Sequence, residues 1–134
     1  MKQYRPYITS ILFLVLIACS PSRQIKFENK TEGPAEMVWV LKEDSLTRSR
    51  LFVSNSDTVR FSLHNNKPRN KLRMSFGQGS WTHKELLNFA DDLEALQLKW
   101  NAGFIKLDST SKIMDFLSIR RKGIDNSQIS IVVK

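Results

Sequence analysis

Few side chains in this sequence have a type and spacing that could do chemistry. The two histidines, His64 and His83, do not stand at a metal-binding spacing from another histidine or from a cysteine. The group Asp91-Asp92-x-Glu94 could hold a hard cation, but it lacks the spacing of a calcium loop and is typical of a solvated surface. No Gly-x-Ser-x-Gly elbow is present to carry a nucleophilic serine. We therefore expect no metal, no cofactor and no catalytic residue; the alternative is a small hydrolase or transferase that uses His64 or His83.

A glycine-containing segment, FGQGSWTHKE at residues 76–85, lies between a strand-like run and a helix-like run. The spacing of Gly77 and Gly79 is similar to that of a phosphate-cradling loop, and His83 and Lys84 would lie beside an anion bound there. However, the Walker pattern and the full dinucleotide fingerprint are both absent, and a lone pair of glycines is a weak signal. The anion site is therefore the less favoured of two interpretations.

The favoured interpretation of the same segment is a capped turn. Thr82 and Glu85 have the spacing of a capping box, in which the threonine hydroxyl accepts a hydrogen bond from the Glu85 amide. Trp81 and Leu86 stand where a hydrophobic staple needs its two apolar residues. The glycines would then serve only to turn the chain so that the indole reaches the core.

The N-terminus has the layout of a secretory signal peptide. A short basic segment with Lys2 and Arg5 precedes an apolar run from Ile8 to Ala18. That run is shorter than the ~20 residues that span a bilayer, so we do not interpret it as a transmembrane helix. The predicted organisation is a signal peptide at 1–18, a lipidated N-terminus and tether at 19–24, and a single β-rich domain at 25–134.

The segment Leu16-Ile17-Ala18-Cys19 resembles the lipobox of bacterial lipoproteins, and Cys19 is the only cysteine of the chain. The resemblance implies cleavage before Cys19, diacylation of its thiol, and usually acylation of the new amine. The first partner it implies is a lipid bilayer, on which two or three acyl chains hold a protein far more firmly than one. Ser20 in place of an aspartate implies the outer membrane, and we expect the domain to face the periplasm. The alternative is an ordinary signal peptide with a stray cysteine.

Size and charge limit the domain further. Removal of residues 1–18 leaves 116 residues, which suffice for one domain with a single core. The remaining chain has 19 basic and 13 acidic residues, a net charge of +6. That excess favours anionic partners. For an exported protein we expect anionic lipid, a glycan or an acidic protein rather than nucleic acid.

Apolar residues alternate with other residues in six runs, which predicts strands with one buried face. The runs are Ile25 and Phe27; Met37, Trp39 and Leu41; Val59, Phe61 and Leu63; Leu72, Met74 and Phe76; Leu96, Leu98 and Trp100; Ile129, Ile131 and Val133. Residues 36–41 are apolar on both faces, so this strand should be central. Two short helices are predicted, one beginning at Thr82 and one near 109–121. The expected fold is mostly β, a compact antiparallel β-sandwich-like domain with two short helices; the alternative is an α+β fold.

Strand alternation also predicts a basic surface. If the apolar residues at 59–63 and 72–76 face inward, the residues between them face outward. A hairpin closed by residues 65–70 would then bring the basic side chains of both strands onto one face. The predicted anionic-partner face consists of Arg60, His64, Lys67, Arg69, Lys71 and Arg73. The alternative is a solvated face that contributes only solubility.

Taken together, these features favour a membrane-anchored, non-catalytic binding or assembly module of the bacterial envelope.

The lipid anchor gives the first prediction. Cys19→Ser should leave an uncut or unlipidated precursor, because the substituted residue offers no thiol for acylation. On detergent phase partitioning the variant should leave the detergent phase. Partitioning identical to that of the wild type would contradict the lipoprotein interpretation.

Overall fold

The fold is given by a computed structural model of the chain, which describes residues 20–43 and 56–134. The predicted signal peptide and the predicted lipidation site, Cys19, lie outside the described residues. The strands are β1 (Ser22–Asn29), β2 (Ala35–Leu41), β3 (Thr58–Leu63), β4 (Lys71–Gln78), β5 (Leu93–Trp100), β6 (Gly103–Leu107), β7 (Arg121–Lys122) and β8 (Gln128–Val133). The helices are α1 (His83–Asp91) and α2 (Thr110–Ser118), and a 3₁₀ turn spans Ile124–Asn126.

The strands form two four-stranded sheets. The first sheet has the order β4-β1-β8-β7 and the second the order β3-β2-β5-β6. Neighbouring strands are antiparallel except β1 and β8, which run parallel. The prediction of a mostly-β fold with two short helices is confirmed, with the refinement that the first sheet is mixed.

All six predicted strands are present, and β2 is central because it pairs with both β3 and β5. The sequence interpretation did not predict β6 or β7. In β6 the alternation is short, with Phe104 exposed and Ile105 and Leu107 partly buried. β7 takes Arg121 and Lys122, which were predicted to end the second helix; that helix stops at Ser118 instead.

The basic residues after α2 still stabilise its C-terminus, as their charge predicts. The Arg120 guanidinium donates to the carbonyl of Phe116 at 2.8 Å and stacks on the Phe116 ring at 3.6 Å. Arg121 Nε donates to the carbonyl of Ser118 at 3.2 Å. The last carbonyls of a helix have no partner inside it, so these two side chains complete the helix end from outside.

One core joins both sheets and both helices. At its centre the Trp39 ring of the second sheet lies 4.6 Å from Phe61 and 5.2 Å from Phe89 of α1, between ring centroids. The Phe76 ring of the first sheet lies 5.6 Å from Phe89 and 5.3 Å from Trp81. Edge-on aromatic contacts of this kind add stabilisation beyond the burial of their area.

The glycine segment is a capped turn. The Thr82 hydroxyl accepts a hydrogen bond from the Glu85 amide at 3.2 Å, and Trp81 and Leu86 are both buried in the core. Gly77 and Gly79 have φ angles of 89° and 100°, a region that strongly favours glycine. This geometry accounts for the segment without a ligand; the anion-binding alternative stays an untested prediction.

In a complete capping box the carboxylate of the third helical residue also accepts from the N-cap amide, and the structure differs on this point. The Glu85 carboxylate pairs with Arg23 Nη1 at 3.2 Å instead of returning to the Thr82 amide. The Arg23 guanidinium also donates to the Phe76 carbonyl at 2.9 Å and lies 5.3 Å from the Trp81 ring centroid. Arg23 therefore connects the start of β1, the end of β4 and the first turn of α1.

The two ends of the sandwich are chemically different. We call the end at which Ser20 lies the N-terminal end; there the Gly79 amide donates to the Pro21 carbonyl at 2.8 Å. The other end, where β1 stops at Asn29, we call the distal end. There the Lys30 amide donates to the Val133 carbonyl at 2.9 Å, because β8 runs parallel to β1.

The capped turn gives a stability prediction. Thr82→Ala should lower the free energy of unfolding by about 1 kcal/mol through loss of the cap. Trp81→Ala should lower it by about 3–5 kcal/mol, because Trp81 is 2% exposed and its removal leaves a cavity. Lys84→Ala, on the exposed face of the same helix turn, serves as the control and should change stability by less than about 0.5 kcal/mol. Urea unfolding measures all three; equal losses for the two alanine variants of the turn would contradict the assignment of Trp81 to the core.

Candidate functional site

The prediction that β3 and β4 form a basic hairpin is wrong. Strand β3 pairs with β2 in the second sheet, and β4 pairs with β1 in the first. Residues 64–70, which we call the crossing loop, therefore carry the chain from one sheet to the other. Alternation could not distinguish the two arrangements, because in both of them the apolar residues of β3 and β4 point into the core.

This crossing divides the predicted anionic-partner face into three places. Arg60 lies exposed on the outer face of the second sheet, where its Nη1 is 3.6 Å from Glu36 Oε1. Lys71 and Arg73 lie on the outer face of the first sheet. The remaining three residues, His64, Lys67 and Arg69, are exposed in the crossing loop.

The crossing loop is held at the distal end by hydrogen bonds to buried asparagines. Its two sides are joined by the His64 amide, which donates to the Arg69 carbonyl at 3.1 Å. Asn29, 1% exposed, donates from its side-chain amide to the Gly33 carbonyl at 2.8 Å and the His64 carbonyl at 3.2 Å. The Asn29 backbone amide donates to the Asn70 carbonyl at 2.8 Å. One side chain thus fixes the crossing loop against the turn that follows β1.

Exposed cations surround this fixed loop. Lys67 and Arg69 lie within it, Lys30 follows β1, and Lys134 follows β8 at the same end. None of these four cations forms an ion pair with another described residue. Lys30 and Lys134 were missed by the sequence interpretation, because only the parallel pairing of β1 with β8 brings them to one end.

Two cations on the outer face of the first sheet, Lys26 and Lys71, are in a different state, whereas Arg73 on the same face is exposed without an ion pair to a described residue. Glu28, 8% exposed, lies between Lys26 at 3.1 Å and Lys71 at 3.3 Å. Burial by itself raises the pKa of Glu28, but hydrogen bonds and charge attraction from the two ammonium groups outweigh it and hold the pKa below 4.5. Lys71 is therefore engaged within the protein. The alternation in β1 alone predicts that Lys26 and Glu28 face outward. That Lys71 of β4 lies beside Glu28 follows only from the pairing register of the two strands.

The two histidines lie at opposite ends of β4. His64 is exposed in the crossing loop, and His83 is the exposed first residue of α1. Within residues 20–43 and 56–134 no group of three or more histidine, cysteine or acidic side chains could hold a metal. Asp91 pairs with Lys42 at 3.1 Å. A catalytic use of either histidine stays an untested prediction.

The surface of the described residues includes depressions near both sheets. One of about 370 Å³ lies at the distal end of the second sheet and is lined by Ala35, Glu36 and Trp100 among others. Gly103 is required beside it, because a Cβ there would approach the Trp100 ring to 2.3 Å. Another, of about 290 Å³, lies between α2, β6 and the last residues of β8. In the described part of the chain neither helix is both long and apolar enough to cross a bilayer.

Comparison with models of known protein families finds no match, and comparison with characterised protein sequences finds none either. Among solved structures, the chain is similar to Lip from Serratia marcescens, described as a membrane-bound component of the type VI secretion system. The identity is 14%, the similarity covers 84% of this chain and 90% of that one, and the TM-score is 0.25. So low a score does not establish a common fold. The functional argument therefore depends on this chain's own residues.

The Glu28 site predicts a pH dependence. A carboxylate whose folded pKa lies below its unfolded pKa stabilises the fold above the unfolded value, and that stabilisation is lost as the pH falls through the folded pKa. Relative to Glu28→Gln, the wild type should therefore be more stable at pH 7, and the difference should shrink as the pH falls below 4.5. Urea unfolding of both proteins between pH 7 and pH 3 measures this. A difference that stays constant across that range would contradict the paired state of Glu28.

Proposed function

We propose that this protein is a lipid-anchored, non-catalytic binding module of the bacterial envelope, whose distal end binds an anionic partner. The anchor is the acylated Cys19, in the outer membrane and facing the periplasm, as the lipobox resemblance implies. The binding surface is the crossing loop and its neighbours, which we call the distal cationic surface: Lys30, His64, Lys67, Arg69 and Lys134. This surface retains three residues of the predicted face. It leaves out Arg60 and Lys71, whose charges are paired within the protein, and Arg73, which lies on the outer face of the first sheet away from the crossing loop.

The observation that carries the proposal is the contrast between paired and unpaired cations. Lys26 and Lys71 flank Glu28 on the sheet face, whereas the four cations of the distal end have no ion pair with a described residue. Among the described residues at this end, Glu32, in the turn after β1, carries an exposed carboxylate that opposes these four cations. Like charges held together by a fixed loop are mildly destabilising unless an anion binds there. A partner rich in carboxylate or phosphate groups would remove that repulsion.

The position of this surface argues against the anchoring bilayer as its partner. The anchor attaches at the N-terminal end, and the distal end lies one strand length away. An eight-residue strand such as β1 spans roughly 25 Å at ~3.3 Å per residue. This exceeds the Debye length of ~8 Å at physiological ionic strength by about threefold. When the strands stand away from the bilayer, the distal cations do not interact with its headgroups and are available to a periplasmic protein or glycan.

Binding to acidic probes tests the proposal. The full lipoprotein, held in neutral lipid nanodiscs, is titrated with poly-glutamate as an acidic protein chain and with polygalacturonate as an acidic glycan. Lys67→Gln combined with Arg69→Gln should weaken binding of at least one probe roughly tenfold, since each exposed ion pair contributes up to about 1 kcal/mol. The remaining binding should fade as salt is raised.

The matched control removes the same charge elsewhere. Arg73→Gln combined with Lys106→Gln alters one exposed arginine of β4 and one exposed lysine of β6, both within sheet strands and outside the crossing loop. This variant should bind the acidic probes nearly as well as the wild type. Equal weakening in the two double variants would mean that net charge alone matters, and the distal cationic surface would then have no specific role.

A further inference from the structure

The connection between α2 and β8 carries the two most exposed large apolar side chains of the described residues. Ile119 is 79% exposed and Ile124 is 75% exposed. Three basic residues, Arg120-Arg121-Lys122, stand between them. Isolated apolar residues are common on protein surfaces and need no explanation. Arg120 and Arg121 donate to carbonyls of the protein, and Ile119 stands apart because the carbonyl of Arg120 next to it accepts from the Ser130 amide in the middle of β8. Ile124, by contrast, lies close to the exposed Lys122, and an exposed apolar side chain beside a cation suits the interface of an anionic membrane.

The turn that presents Ile124 is held in place rather than loose. Gly123, Asp125 and Asn126 all have positive φ angles, of 82°, 52° and 56°, so Ile124 stands at the tip of a tight left-handed turn. The Asn126 carbonyl accepts a hydrogen bond from the Trp81 amide at 3.0 Å. This turn is therefore attached to the capped segment that precedes α1, and the side chain at its tip is directed to solvent by a fixed backbone.

The same turn lies at the end where the lipid anchor would be attached. The Gln24 amide donates to the Ser127 carbonyl at 2.9 Å, so the turn adjoins the start of β1. Cys19 is only two residues before Pro21, which the extended chain can span in roughly 7 Å. Lys84, in the first turn of α1, and Lys122 are exposed nearby and have no ion pair with a described residue, and these two cations outnumber the one exposed acidic side chain of the turn, Asp125.

We propose that the N-terminal end is a second membrane contact, made by Ile124, Lys84 and Lys122 and directed to an anionic bilayer. The Ile124 side chain enters the boundary between headgroups and acyl chains, and the lysines meet the lipid phosphates. The inference rests on the proposed lipid anchor, which keeps this end at the bilayer and so makes a weak contact effective. Its consequence is orientation: with the N-terminal end against the lipid, the distal cationic surface faces the periplasm.

A single fluorescent label tests this contact. Cys19 is the only cysteine, and in the mature lipoprotein its thiol is acylated, so Ile124→Cys provides one reactive site. The labelled full lipoprotein is placed in vesicles that contain phosphatidylglycerol and lipids with a spin label near the headgroup. The label at position 124 should be quenched and its emission shifted to the blue. Adding Lys84→Gln and Lys122→Gln should reduce the preference for anionic over neutral vesicles roughly fivefold per lysine.

Two label positions serve as controls. Phe104→Cys replaces another exposed apolar residue, 58% exposed on β6, and Lys67→Cys lies at the distal end. Neither label should be quenched. Quenching at position 124 no stronger than at position 67, in protein that floats with the vesicles, would overturn the contact and leave the anchor intact. Protein that does not float would instead contradict the anchor itself. A blue shift that depends on the protein-to-lipid ratio without quenching would indicate a second copy of the chain, and would also overturn the membrane contact.

Discussion

The fold depends on how Trp81 is held where the first sheet meets α1. Its indole is buried among aromatic rings, its Nε1 donates to the Gln24 carbonyl at 2.9 Å, and the Arg23 guanidinium lies over its face. Its backbone carbonyl accepts from Arg121 Nη1 at 3.2 Å. Burying an indole N–H without an acceptor costs free energy, and Trp81 avoids that cost through the Gln24 carbonyl. Because β1, the α1 cap and the segment after α2 supply these together, Trp81 fixes the N-terminal end as one unit.

A second constraint operates at the distal end, where polar contacts rather than aromatic rings hold the chain. The Asn29 side chain uses its amide on two carbonyls, and its oxygen accepts from the amide and hydroxyl of Thr31 at 3.0 and 2.7 Å. A buried amide with all its partners fixes loop geometry, whereas one without them would be costly. The crossing loop can therefore hold like charges together although it contains no regular structure.

The two ends give the proposed module a direction. On the face of the first sheet Lys26 and Lys71 are compensated by Glu28, whereas the cations around the crossing loop have no ion pair with a described residue. At the N-terminal end Lys84 and Lys122 lie near the exposed Ile124, which suits a lipid interface. At the distal end the four exposed cations suit a hydrated anionic partner. The two ends thus present different surfaces.

The sequence by itself predicted six of the eight strands and the α1 cap, because each depends on residues close together in the chain. Alternation of apolar residues placed all six main strands, and Thr82 with Glu85 marked the helix start. Only the tertiary structure decided which strands pair, since inward-facing apolar residues fit a hairpin and a crossing between sheets equally well. That choice placed Arg60 on a different sheet from Lys71 and Arg73 and, through the parallel pairing of β1 with β8, brought Lys30 and Lys134 to the distal end. Register between distant strands is set by packing of the whole core, which no local pattern contains.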